Sequence, residues 1–383
     1  MDLDNRYPSV PYLAEAARRR LPHFLWEFLD SATGDGDPAD RANLDALGQV
    51  ALMPAVLKGK PQPDLSTEFL GRRYKVPFGV APVGMSGVFW PGAEAILART
   101  AARTGMAYCQ STMAATTPEA VGPHLGESGW FQLYPPKEPE TRRDICRRAK
   151  AAGFHTLVMT IDLPGASRRE RQRRADVRQP PALTPRVIRD CALRPAWALQ
   201  RLAHGRPRLE TLDPYVEAQP SLPGTNHVGY LIREAPDWDY LKALRDEWDG
   251  PLILKGVMDP EPVARMVEEG VDALWVSNHG GRQFAAAPAA IDMLPVIREI
   301  VGPDYPLVFC SGIRSGTDIL RAIACGADMV MLGRAWQFGV SALGEAGAAQ
   351  VAHILTDGMM ADMYQLGIAR PVEVRDRRRD VPG

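Results

Sequence analysis

The stretch SNHGGRQ at 277–283 places a titratable ring, His279, three residues before a permanent cation, Arg282, with two glycines between them. Imidazole titrates near pH 6.5 and can take up and release a proton close to neutrality. A guanidinium offers a planar fork that matches a carboxylate. Together they suit a site that holds an anion while removing a proton from it. A lone histidine is usually structural, so the assignment rests on what accompanies it. Asp162, at the end of the apolar run TLVMTID, can orient and stabilise a charged imidazole, as the carboxylate does in a hydrolytic triad.

Two further features carry chemistry. Lys255 ends the run PLILKG, where an unpaired ammonium is costly. It can form a Schiff base, stay charged beside a ligand that becomes negative, or pair with a structural carboxylate; spacing does not choose. CSGIRSG (310–316) and LGR (332–334) combine glycines, which let backbone N–H groups approach an anion, with Arg314 and Arg334. That pattern points to phosphate.

The elements that must position these groups are eight short apolar runs, at 76–82, 106–111, 130–134, 156–162, 251–256, 273–278, 306–311 and 329–334. Their nearly continuous hydrophobicity suits parallel strands covered on both faces. Helical stretches lie between them, at 93–105, 139–153, 260–270 and 316–326 among others, several stopped by Gly. Eight such units predict an α/β fold, a (β/α)8 TIM barrel of about 250 residues. The rest of the chain falls into an N-terminal helical cap (13–50) and a long insertion between strands 4 and 5 (163–250). Residues 1–383 read as one domain. Six consecutive strands carry polar groups at their ends, from Ser111, Gln132 and Tyr134 through Thr160 and Lys255 to Ser277 and Ser311, and Gly312 and Gly333 end the last two runs. One polar pocket at the barrel mouth explains them all.

SNHGGRQ, with LILKG upstream and SGIRSGTD and LGR downstream, resembles the FMN-dependent 2-hydroxy-acid dehydrogenases and oxidases, over about Leu13 to Gly367. That group includes glycolate oxidase, L-lactate dehydrogenase and mandelate dehydrogenase. The resemblance implies oxidation of an L-2-hydroxy acid to the 2-keto acid, with electrons passed to a quinone, a cytochrome or oxygen. It implies FMN with its phosphate near Gly312, Arg314, Gly333 and Arg334, Ser311 belonging to the same cofactor set. The flavin ring would meet Ala81, Pro82 and Val83, then Ser111, Gln132 and Thr160, and finally Lys255 and Ser277. His279 would be the base, paired with Asp162. Arg169 and Arg282 would hold the substrate carboxylate, with Tyr134 beside the reacting hydroxyl. Whether a hydride or the α-proton leaves first stays open. Tetramers are frequent in that family, so a homo-oligomer is implied.

Three positions depart from the family pattern. Phe28 stands where a substrate-contacting Tyr is common, Cys310 where an acid precedes the phosphate glycines, and Met113 where glycolate oxidase has a bulky aromatic. Two rival readings follow, a Schiff-base aldolase using Lys255 and a flavin-binding, membrane-associated module without turnover.

With 45% hydrophobic and 24% charged residues the composition is that of an ordinary globular enzyme. A net charge of −1 gives no field for nucleic acid. Five scattered cysteines suit a reducing compartment, without disulfide or metal-ligand spacing. The opening MDLDNRYPSV lacks the pattern of an export signal, so a cytoplasmic protein is predicted. Residues 168–208 hold twelve arginines against three acids. Within them two short helices are predicted, starting at Thr184–Pro185 and at Pro195, with Val187, Ile188 and Cys191 on one face and Arg186, Arg189 and Asp190 on another. The segment most resembles the mandelate dehydrogenase branch. It implies peripheral attachment to an anionic inner-membrane surface and a quinone acceptor, or else a basic lid.

Overall fold

The structure is a computed structural model that describes residues 2–177, 184–205, 208–217 and 234–379. Eight parallel strands close into a barrel. In chain order they are β1 (Phe78–Val80), β2 (Ala107–Ser111), β3 (Gly129–Leu133), β4 (Thr156–Thr160), β5 (Leu252–Val257), β6 (Ala273–Val276), β7 (Leu307–Phe309) and β8 (Met329–Leu332). Each pairs with its neighbour in sequence, and β8 returns to β1 through Val330 opposite Phe78. Burial is continuous along β1 to β4, as apolar runs covered on both faces require.

Successive side chains alternate between two cores. Inward-facing residues such as Trp130, Val158, Ile253, Trp275 and Met331 fill the barrel, while Phe131, Leu157, Leu254 and Leu274 meet the surrounding helices. A hairpin of Thr67–Phe69 and Arg72–Tyr74 plugs the amino-terminal end, Phe69 stacking on Trp130 and Tyr74 accepting its indole N–H at 3.0 Å. Polar groups therefore gather at the opposite mouth.

The strands are shorter than the apolar runs. The run at 306–311, for example, yields a strand of three residues, and the chain then leaves the ladder with Ser311 at φ 114° and Gly312 at φ 88°. The helices at 93–105, 139–153 and 316–326 are present as Ala93–Thr104, Pro139–Ala151 and Gly316–Ala324. The helix expected at 260–270 is trimmed to Val263–Glu268, since Pro260 and Pro262 delay its start. The cap comprises helices Val10–Arg20, His23–Asp30 and Pro38–Gln49.

In the insertion, helices Glu170–Arg174, Pro185–Ala192 and Pro195–His204 are formed. Thr184 caps the second by accepting from the Val187 N–H at 3.3 Å. The expected faces are corrected in two respects. Val187 and Asp190 turn inward, whereas Ile188 faces outward. With 100° between successive residues, 187 and 190 align better than 187 and 188. Helices Asp213–Glu217 and Trp238–Glu247 follow, and residues 178–183, 206–207 and 218–233, Arg178 and Arg206 among them, lie outside the described residues.

Candidate active site

The loop after β6 is held by its own polar atoms and by the cap. Asn278 and Asn43 exchange two amide hydrogen bonds, at 2.8 and 2.9 Å, and the Asn278 oxygen also accepts from the Gly281 N–H. A Cβ on Gly281 would lie 2.5 Å from the Asp40 nitrogen, so only glycine lets the cap helix approach this closely. His279, at φ 58°, takes a conformation rare for a side-chain-bearing residue. Such outliers cluster at functional sites, and Ser311 and Arg169 (φ 46°) share the condition.

Across the mouth, His279 Nδ1 lies 3.0 and 3.1 Å from the two Asp162 carboxylate oxygens. Gly256 makes room for the acid, because a Cβ there would sit 2.5 Å from Asp162 Cβ. Burial, reinforced by the Lys255 charge, pushes the imidazole down to about 4 against the pull of Asp162. The ring is therefore neutral at pH 7. Asp162 is held below the usual carboxylate range because His279 and Lys255 together outweigh its burial. Lys255 remains charged. Burial opposes that, but Asp162, followed by weaker neighbours, raises it above the usual lysine range, and its ammonium lies 5.6 Å from the centre of the Trp275 ring.

Around this pair opens one cavity. Arg169, Lys255, Arg282, Arg314 and Arg334 all line it, together with His279, and no carboxylate lines it among the described residues. The guanidiniums repel one another. Burial first, then Arg169 and Arg334, takes Arg282 well below the usual arginine range, and burial with Arg334 brings Arg314 down to about 10. A buried cationic excess of this kind is relieved by an anion.

The carboxyl end of helix His23–Asp30 counters part of the repulsion. Arg282 donates to the carbonyls of Phe28, Leu29 and Ser31 at 3.0, 3.2 and 2.8 Å. Three of its five N–H groups are thus used, leaving two, the number a bidentate carboxylate takes. Arg334 donates to Leu29, Ser31 and Gly280 carbonyls and pairs with Asp40 at 2.6 Å. Its charge is already matched. Arg314 makes no ion pair among the described residues and lines the cavity beside Ser311, Gly312 and Gly333.

Of the other expected residues, Ala81, Pro82, Val83 and Tyr134 line the cavity directly. Ser111, Gln132, Thr160 and Ser277 lie one layer beneath it, buried. Ser111 donates to Gln132 at 2.9 Å and Gln132 to Thr160 at 3.0 Å, a polar rung across three strands. Cys310 donates its thiol to Ser277 at 3.1 Å. Burial keeps the Tyr134 phenol protonated, hence a donor. Phe89, Met85 and Leu163 were missed; with Phe28 and Met113 they form an apolar wall. GMSGVF directly follows β1 at the barrel mouth, and that position was the available signal.

The family model for the FMN-dependent dehydrogenases matches residues 17–379. The chain belongs to this family. It is 36% identical over 367 residues to L-lactate dehydrogenase of Caulobacter vibrioides, covering 94% of each chain, and 35% identical over 363 residues to that of Pectobacterium atrosepticum, covering 94% and 93%. Among solved structures it is similar to the monotopic membrane protein (S)-mandelate dehydrogenase, with TM-score 0.91, 29% identity and coverage of 97% and 99%. Mandelate oxidase follows at TM-score 0.83 and 29% identity, covering 97% and 98%.

The cavity of this FMN-dependent dehydrogenase fits its cofactor. A phosphate dianion matches Arg314, which has no ion pair among the described residues, and the glycine turns after β7 and β8. Lys255 adds a protonated side chain to the same cavity, of the charge that a ring gaining electrons requires nearby.

Proposed function

We propose that this FMN-dependent dehydrogenase oxidises an L-2-hydroxy acid to the 2-keto acid. What carries the reading is the neutral His279, oriented by Asp162, beside an Arg282 guanidinium with two donors left for a carboxylate. The relatives named as L-lactate dehydrogenases and mandelate dehydrogenase support the substrate class.

Arg282 and Arg169 grip the substrate carboxylate and fix the α-carbon. Asp162 accepts from Nδ1, so Nε2 of His279 carries the free lone pair and takes the proton. Asp162 then stabilises the imidazolium. Tyr134 donates to the oxygen of the reacting carbon. Bound FMN supplies the two-electron acceptor. Lys255, kept protonated, offsets the negative charge that accumulates beside it. Anaerobic mixing of the flavoprotein with lactate, glycolate, mandelate and longer 2-hydroxy acids tests the reading. Bleaching of the flavin by at least one of them is expected; bleaching by none refutes it.

The insertion supports peripheral attachment to an anionic membrane, with a quinone as acceptor. Ile188, Leu193, Leu199 and Leu202 are 55–81% exposed, near the exposed Arg186 and Arg189. Apolar residues flanked by bases favour an interfacial position. No helix among the described residues is long and apolar enough to cross a membrane. Replacing the four apolar residues with Gln is expected to leave the protein in the supernatant of anionic liposomes that sediment the parent protein. Equal sedimentation of both ends the membrane reading.

A further inference from the structure

Both arginines assigned to the substrate carboxylate are tied to one short stretch of the cap, one through its guanidinium and the other through its backbone. Arg282 rests on the carbonyls of Phe28, Leu29 and Ser31. Arg169 is tied two residues further on, its backbone N–H donating to the Thr33 hydroxyl at 3.2 Å. The two arginines repel, which is one cause of the lowered Arg282. Something must hold them together when no anion lies between them.

Arg171 is placed to do so. It stands two residues after Arg169, in the helix Glu170–Arg174, and reaches three carboxylates of the cap. Its Nε meets Glu27 at 2.7 Å, one terminal nitrogen meets Asp30 at 2.8 Å, and the other pairs with Asp37. Glu27 and Asp37 flank the segment 28–33 and Asp30 lies within it. Three partners hold the Arg171 guanidinium charged against its partial burial. Two weaker ties run in parallel, from the Gly34 N–H to Glu170 at 2.9 Å and from the Gln172 amide to Ser31 at 3.2 Å. The three carboxylates also place negative charge just behind the crowded cations. Arg171 touches neither substrate nor cofactor in this arrangement and does not line the cavity.

We infer that Arg171 is a positioning residue, an ionic latch between insertion and cap that sets the spacing of Arg169 and Arg282 and so the grip on the substrate carboxylate. This rests on the proposed oxidation of a 2-hydroxy acid. A fork with three acceptors cannot be replaced by a single ammonium, so lysine breaks the latch while keeping the charge.

The test compares parent protein, Arg171→Lys and Asp30→Asn, all loaded with FMN. Steady-state kinetics with the best 2-hydroxy acid would show KM raised about tenfold in Arg171→Lys, with kcat within about twofold. Binding of the matching neutral 2-hydroxy amide, followed through the flavin absorbance, stays unchanged, as does FMN content. An unchanged KM overturns the latch. So does a loss of affinity shared equally by acid and amide, which marks general disorder. Should Arg171→Lys not fold, Asp30→Asn decides, since it removes one negative charge from the more exposed edge of the latch; there too an unchanged KM overturns the inference. If no 2-hydroxy acid reduces the parent flavin, the proposed function fails by itself. The latch is then judged by oxalate, whose dissociation constant rises in Arg171→Lys if the latch is real and does not if it is absent.

Discussion

His279 donates through Nδ1 to Asp162, at 3.0 Å, across 117 residues of sequence. The contact selects the tautomer and leaves Nε2 as the base. A base works when neutral, so kcat/KM is expected to hold at neutral pH and to fall as pH drops through about 4, the position set by burial. Asp162→Asn removes the group that raises the imidazole, so the acid limb moves lower still. It also removes the charge that stabilises the imidazolium, so kcat falls by about 10²–10⁴. His279→Ala should bind FMN normally and fail to bleach it. A limb that stays in place in Asp162→Asn would contradict the assignment.

A buried neutral histidine also shapes stability. His279 and His155 both lie at about 4 in the fold, His155 through burial and then the Arg72 charge, against about 6.5 when unfolded. Between those values the unfolded chain binds more protons than the folded one. Stability therefore rises with pH in that window and is lost as pH falls through it, by up to about 1.4 kcal/mol per pH unit for each residue. His155 lies at the start of β4, away from the mouth, with its ring against the Thr156 hydroxyl and the Glu127 carbonyl. Melting temperatures at pH 7 and pH 5 check the point. His155→Gln should narrow the difference between them, and an unaltered difference would count against it.

Lys255 separates flavin chemistry from Schiff-base chemistry. A Schiff-base lysine needs a depressed pKa, and here Asp162 and its neighbours raise it against burial. Borohydride added with a 2-keto acid should leave the mass of the protein unchanged. Lys255→Met should slow anaerobic bleaching by about 10²-fold or more, as expected when a preorganised charge is lost. A borohydride-trapped adduct at Lys255 would reverse this ordering.

Much of the catalytic layer was legible because chemistry in a barrel collects where strands end. The apolar runs located β1 to β8, and the polar residues after them located His279, Asp162, Lys255 and the Gly312 turn. What escaped depends on contacts distant in sequence between elements with no shared period. Nothing in HFLWEFLDS announces that its last carbonyls receive Arg282 and Arg334. Asp40 as the partner of Arg334, and Arg171 as the partner of Glu27, Asp30 and Asp37, likewise arise only when cap and insertion fold against the mouth. The misread helix Pro185–Ala192 has a more local cause. Two apolar neighbours, Val187 and Ile188, were given one face although a helix turns 100° between them.

Phe28 lines the cavity and stacks on Phe89, ring centres 6.0 Å apart, with the Arg282 guanidinium 5.9 Å from its own ring. A phenol in its place would add a donor beside the carboxylate grip without changing the stacking surface. A hydrogen bond to a charged group contributes about 1.5–3 kcal/mol. Phe28→Tyr is therefore expected to lower KM for a small acid such as lactate by about tenfold or more. An acid with a bulky apolar side chain already gains from the wall of Phe28, Phe89, Met85 and Met113, and should improve less. Steady-state kinetics on both substrates measure the contrast. Equal improvement on the two would show that the wall does not contact the side chain, and no improvement on either would place the carboxylate away from position 28.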